Sequence, residues 1–228
     1  MDTERRRAET FADKLGALKR SGCNVLVLHG PGETGRIRED LMGDPSERRR
    51  RLFVTTIGGA IEGTASAAQS SAIIDATPTD TRSTASAATG STVADLDVTP
   101  RTRLEDDSDL SELARLIDQE INGFDAVADG LESGELRVCI DRLEPLVERT
   151  DEEALFQFLH LVTTRIRDAN GMGHFHAAAD AEESLITTIA PLFEICVHVR
   201  TTANGVLQQR WRLRDADIDT GWLQMDAV

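Results

Sequence analysis

The sequence predicts an α/β protein with a mostly parallel sheet flanked by helices and a C-terminal antiparallel β-hairpin. Three observations carry that reading. Apolar runs of strand length are continuous rather than alternating, which suits strands covered on both faces. Segments with helical periodicity separate those runs, as parallel strands require. Ala203, Asn204 and Gly205 lie between two last strand-like stretches and signal a hairpin.

The elements follow in order. Phe11, Leu15 and Leu18 recur at i, i+4 and i+7, one face of an N-terminal helix placed in residues 1–19. Asn24 to His29, bounded by Gly22 and Gly30, is the first strand. A short polar helix from about Ile37 to Met42 ends at the turn signal Gly43, Asp44, Pro45. Arg48 to Arg51 form a solvated basic lead-in, pairing with acids such as Glu47, to a second strand at Leu52 to Thr56. From Thr64 to Thr92, 21 of 29 residues are Ser, Thr or Ala, so roughly residues 76–91 read as a flexible loop. Ala72 to Asp75 is an apolar island of strand character within that stretch, and Val93 to Val98 alternates like a short edge strand.

The second half is more strongly patterned. Asp109 and Glu112 have capping-box spacing ahead of the stripe Leu110, Leu113, Ile117, Ile121. Leu136 to Ile140 is a strand that ends in Asp141. Thr150 and Glu153 open a helix carrying Leu155, Phe158, Leu159, Val162 and Ile166. Gly171 to Gly173 close it, and His174 to Ala177 form a short strand. Asp180 and Glu183 start a last helix bearing Leu185, Ile189 and Leu192, before the hairpin of Ile195 to Arg200 and Val206 to Leu213. Residues 20–214 thus make one α/β domain, with a tail at 215–228.

Composition narrows the function. The chain has 228 residues, 40 acidic against 25 basic, and a net charge of -15. Phosphate backbones need a basic face, so nucleic-acid binding is disfavoured. No apolar run approaches the roughly 20 residues that span a bilayer, and the polar N-terminus leads into no signal core, so a cytoplasmic protein is expected. Cys23, Cys139 and Cys196 are odd in number and far apart; they read as buried reduced thiols, and their spacing argues against zinc. His174 and His176 share one strand face, as some metal sites require, but no third ligand of suitable spacing is evident, so no metal is expected. His160 and His198 read as core or boundary residues, and Trp211 and Trp222 as cover for the sheet edge.

The loop after the first strand carries the candidate site. Gly30 and Gly35 have the outer spacing of a phosphate-binding loop, with Gly32 and Thr34 between them. Arg36 stands where such loops have Lys, keeping the charge but exchanging a point charge for a planar fork. Ile37 stands at the hydroxyl position and cannot ligate Mg²⁺, and Glu33 places a carboxylate among the would-be phosphate contacts. Asp141 occupies the strand end from which phosphate-transfer enzymes orient Mg²⁺. The second strand ends in Thr55 and Thr56, with no acid before Glu62. No cofactor is therefore expected, ATP or ADP with Mg²⁺ being the one candidate.

The order of these parts resembles the RecA/KaiC superfamily, in particular its uncharacterised haloarchaeal RecA-like, KaiC-like or HTR-like proteins. The resemblance rests on Gly22 to Leu28 with the degenerate loop behind it, and on Arg137 to Leu146. It continues through Phe156 to Arg167, Gly173 to His176, Leu192 to Arg200, Gln209 to Leu213 and Gly221 to Leu223. It implies a RecA-like twisted sheet, a vestigial nucleotide site at Gly30, Gly32, Thr34, Gly35, Arg36 and Asp141, no catalytic residue, and a regulatory role exercised through a protein partner or self-association.

The cations are lopsided as well: Lys14 and Lys19 are the only lysines, every other one is Arg, and Tyr is absent. An acid-rich, lysine-poor surface is suited to near-molar salt, which at about 1 M shortens the Debye length to roughly 3 Å and quenches carboxylate repulsion. The melting temperature should accordingly rise as KCl goes from about 0.1 M to about 2 M; a flat or falling trend contradicts this reading.

Overall fold

The computed structural model describes residues 2–30, 34–44, 46–57, 71–78, 99–105 and 109–225. Gly32, the Ser/Thr/Ala-rich loop from residue 79 onward and the alternating stretch at 93–98 lie outside them. The elements are α1 (Asp2–Ser21), β1 (Cys23–His29), α2 (Thr34–Met42), β2 (Arg50–Thr55), β3 (Ser71–Asp75) and β4 (Arg101–Arg103). There follow α3 (Leu110–Ala128), β5 (Leu136–Ile140), α4 (Glu144–Val147), α5 (Glu152–Asp168), β6 (Met172–Ala178) and α6 (Glu183–Ile189). A 3-10 turn (Ala190–Leu192) leads to β7 (Ile195–Thr201), β8 (Leu207–Leu213), β9 (Ile218–Asp219) and β10 (Leu223–Gln224).

The strands form one sheet in the order β10-β8-β7-β1-β6-β5-β2-β3-β4, with β9 also on β8. From β7 to β4 every pairing is parallel, and β7–β8 is the antiparallel hairpin. Gly205 turns that hairpin at φ +75°, a conformation suited to glycine. The chain beyond residue 214 adds β9 and β10 to the sheet.

β1 is buried along its whole length because both its faces are covered. Val25 and Val27 pack with Ile37 and Leu41 of α2 and Ile195 and Val197 of β7, with Phe11, Leu15 and Leu18 of α1 outside them. Leu26 and Leu28 enter the larger core on the opposite face, built with α3 and α5. Asp109 is the N-cap of α3, its carboxylate accepting from the Glu112 amide at 2.9 Å, while the Glu112 carboxylate pairs with Arg115 at 3.2 Å rather than closing the box. α5 differs: Asp151 rather than Thr150 is its N-cap, accepting from the Ala154 amide, while Thr150 donates back to the Leu146 carbonyl. β6 begins at Met172, two residues before the apolar run suggests, because Met172 and Gly173 pair with Cys23 and Asn24 in register. Of the basic lead-in to β2, Arg49 pairs with Glu47 at 2.7 Å, and Arg48 and Arg50 approach Glu135 at 3.5 and 3.4 Å.

One close approach fixes the β1–β6 register. A Cβ on Gly173 would sit 2.6 Å from Asn24 Oδ1 and 2.8 Å from Ile166 Cδ1. The buried Asn24 needs that space: its side-chain amide donates to the Thr163 carbonyl of α5, and its backbone amide donates to Glu194. Glu194 also pairs with Arg167 at 2.6 Å, joining β1, α5 and the lead-in to β7. Gly173→Ala should destabilise the fold by about 1–3 kcal/mol in chemical denaturation, from overpacking in a site with no slack; a loss below about 0.5 kcal/mol contradicts this.

Candidate functional site

The carboxyl ends of β1, β6, β5 and β2 lie side by side, and the predicted site residues sit along that edge. Gly30 follows β1 directly, and Thr34, Gly35 and Arg36 are the first turn of α2. Helix backbone there presents N–H groups without intrahelical partners, a geometry that favours anions. Among the described residues, nothing beyond its chain neighbours and its own helix backbone lies within 4 Å of a Cβ built on Gly35, so that position is open. Ile37 is 1 % exposed and packs with Leu41 under the sheet. The position that would carry a metal-binding hydroxyl is a core position, and a hydroxyl there would be buried in apolar surroundings.

Asp141 stands two strands away from β1, because β6 is inserted between β1 and β5. Asp141 is 7 % exposed, and both its carboxylate oxygens are engaged with the end of β2. Thr55 Oγ1 donates to one oxygen at 2.9 Å and the Thr56 amide donates to the other at 2.8 Å, while the single Thr56 hydroxyl hydrogen is shared between that second oxygen and the Arg142 carbonyl, each 2.8 Å away. Burial pushes the Asp141 carboxyl above its ordinary range, and the threonine bonds, with the Arg38 charge, hold it back. Each carboxylate oxygen thus accepts at least one hydrogen bond from the end of β2. The arrangement is a clamp between β5 and β2, built by the two threonines that the sequence places where an acid would be needed to position water.

Between β1 and β5 the strand β6 carries two buried imidazoles toward α2. His174 Nδ1 lies 2.9 Å from His176 Nε2, and His174 Nε2 lies 3.0 Å from Met42 Sδ of α2. Cys139 of β5 pairs with His174 across the β5–β6 ladder. One ligand atom each from Cys139, His174 and His176 can be chosen within 4.8 Å of one another. Sequence spacing concealed this third donor, since it lies 35 positions before His174 with both α4 and α5 between them. Burial lowers the His174 pKa to about 3 and pushes the Cys139 thiol well up, so the rings are neutral and the thiol protonated. Of the other histidines, His198 is half-buried with Nε2 3.6 Å from Cys196 Sγ, and His160 stacks on Phe156. Trp211 packs edge-on against Phe11, and Arg200 lies 3.8 Å above the Trp222 ring.

A cleft of about 300 Å³ opens on the opposite face of the sheet, between the α4–α5 segment and α6. None of Gly30, Gly35, Arg36 or Asp141 lines it. Glu144, Glu148, Asp151, Glu152 and Glu182 do, and so many carboxylates make it hostile to phosphate.

If Asp141 is a clamp, its variants should separate by hydrogen bonding rather than by charge. Asp141→Asn keeps an oxygen for Thr56 and should change stability by less than about 1 kcal/mol. Asp141→Ala strands the buried Thr56 amide and should cost about 2–4 kcal/mol. Equal effects of the two substitutions in denaturant titrations contradict the clamp.

No curated protein matches the chain. A model for a family of unknown function (DUF7504) matches residues 22–199, the segment from the start of the sheet through most of β7, and the chain belongs to that family.

Proposed function

We propose that the protein is a non-catalytic RecA/KaiC-like regulatory or interaction module of the cytoplasm, acting in signal transduction through a protein partner or self-association. The observation that carries this reading is the engagement of Asp141 by Thr55 and Thr56. Phosphoryl transfer rests on positioning and on cancelling developing charge by metal, Lys and a water-orienting group. Here the acid is spent on structure, Ile37 is spent on the core, and Arg36 replaces the Lys. The RecA-like part of the reading draws support from the topology. α2 leaves β1 toward one face and α6 leaves β6 toward the other, so the β1–β6 boundary is a topological switch point, where open α/β sheets hold ligands.

A second reading, a sensor that holds ATP or ADP without hydrolysing it, is favoured by the open position at Gly35, in the first turn of α2 at that switch point. Titration with ATP in about 2 M KCl, with and without Mg²⁺, decides between the two: binding supports the sensor, and its absence supports the pure interaction module. In either case hydrolysis should be indistinguishable from buffer. Each missing electrostatic contributor costs on the order of 10²-fold or more in comparable enzymes. The double variant Arg36→Lys with Ile37→Thr should restore no rate, because the water-orienting acid is still lacking. Mg²⁺-dependent hydrolysis by the wild type that disappears in Asp141→Asn overturns the proposal in favour of a slow ATPase using Arg36.

A further inference from the structure

We propose that Cys139, His174 and His176 form a buried site for a thiophilic d¹⁰ metal ion, Zn²⁺ or Cu⁺, held between the sheet and α2. All three side chains are essentially inaccessible, at 1 %, 0 % and 0 % exposure. Parallel register makes the site: Cys139 and His174 are ladder partners on β5 and β6, and His176, two residues on, points to the same face. Their candidate ligand atoms lie within 4.8 Å of one another, whereas donors around a tetrahedral ion stand roughly 3.3–3.6 Å apart given metal–ligand bonds of about 2.0–2.3 Å. Coordination therefore requires the three donors to draw together by about an ångström.

Hydrogen bonding makes the cluster incomplete as it stands. Two neutral imidazoles whose nitrogens are 2.9 Å apart share a single proton between them. If His176 Nε2 donates, His174 Nε2–H faces Met42 Sδ and His176 Nδ1 is a bare lone pair. If His174 Nδ1 donates, its Nε2 lone pair faces the sulfur lone pairs, and His176 Nδ1 carries a hydrogen. In both tautomers His176 Nδ1 is buried with no hydrogen-bond partner among the described residues. Protein cores satisfy such atoms almost without exception. In the first tautomer a metal ion that takes the bare His176 Nδ1 lone pair, the His174 Nδ1 lone pair and the thiolate together supplies the missing partner, and the thiol proton leaves to solvent as the metal–sulfur bond forms.

The donor chemistry selects the ion. Two imidazoles and a thiolate suit borderline and soft ions rather than Mg²⁺ or Ca²⁺, which take oxygen. Asp141, two residues beyond Cys139, is held by its threonines. Met42 Sδ, already against His174, offers a thioether that Cu⁺ accepts and Zn²⁺ does not favour. His29 stands next to the cluster, its ring 5.4 Å from that of His176 and its Nδ1 2.9 Å from the Gly30 carbonyl oxygen, so a loaded site would abut the glycine loop.

The test uses the full chain in about 2 M KCl after chelator treatment. Co²⁺ serves as a spectroscopic probe for the zinc arm, and competition with a chromophoric Cu⁺ chelator serves for the copper arm. One equivalent of at least one ion should bind, with a thiolate-to-metal charge-transfer band for Co²⁺. Cys139→Ser should weaken binding more than about 100-fold and abolish the band, while Cys196→Ser, outside the cluster, changes neither. Because Cys139→Ser touches the core, X-ray absorption on the metal-loaded wild type supplies a variant-free reading. A shell of two imidazole nitrogens with one sulfur supports zinc, and a second sulfur, from Met42, supports copper. Less than about 0.1 equivalent of either ion bound, an oxygen-only shell, or wild-type affinity in a folded Cys139→Ser variant overturns the proposal.

Discussion

The insertion of β6 between β1 and β5 is the constraint on which the carboxyl edge of this protein depends. Strands pair about 4.8 Å apart, so one intervening strand sets the end of β1 and the end of β5 about 10 Å from each other. The loop after β1 and the acid after β5 therefore face one edge without touching. Everything between them comes from β6, which is buried along six of its seven residues and is sequestered under α2 on one face and α5 on the other. That placement is made possible by Gly173, whose missing side chain admits Asn24, and through Asn24 and Glu194 the strand order is tied to α5 and the lead-in to β7.

Given that frame, the fate of the edge follows from which side chains end each strand. β5 ends in a carboxylate and β2 in two hydroxyls, and in a nearly dry environment these groups satisfy one another. A buried carboxylate whose two oxygens are each held by a threonine contributes rigidity at the cost of availability, because turning it toward a metal-linked water would weaken the bond it accepts from the Thr56 N–H. Ile37 shows the same substitution of packing for chemistry on α2. The edge has the placement at which open α/β sheets hold ligands and the interactions of a structural element.

The fold was largely legible in the sequence because it depends on periodicity. Continuous apolar runs at residues 24–29, 52–56 and 136–140 are what two-sided burial demands, and the stripes of α3 and α5 face the core as their spacing requires. Legibility failed where the deciding partner is distant. Asp151 rather than Thr150 caps α5 because the Thr150 hydroxyl is drawn back to Leu146, a competition that spacing cannot reveal. The Asp141 clamp was half visible, as an acid at one strand end and threonines at another, but only the β5–β2 pairing brings them together. The donor that completes the His174–His176 pair was invisible, since it depends on which strand lies beside β6 and in which register. Local pattern states what each strand buries; adjacency, which creates sites, is set by the whole topology.

The central claim is that Asp141 holds β2 to β5 and is not released by nucleotide. The Thr56 amide reports this directly, since among the described residues its acceptor is that carboxylate. Hydrogen exchange at Thr56, followed by NMR in about 2 M KCl, should show protection comparable to the flanking sheet amides, unchanged by saturating Mg²⁺ and ATP. Fast exchange in the free protein, or loss of Thr56 protection on adding Mg²⁺ and ATP, would show the carboxylate to be available for chemistry and would contradict the account.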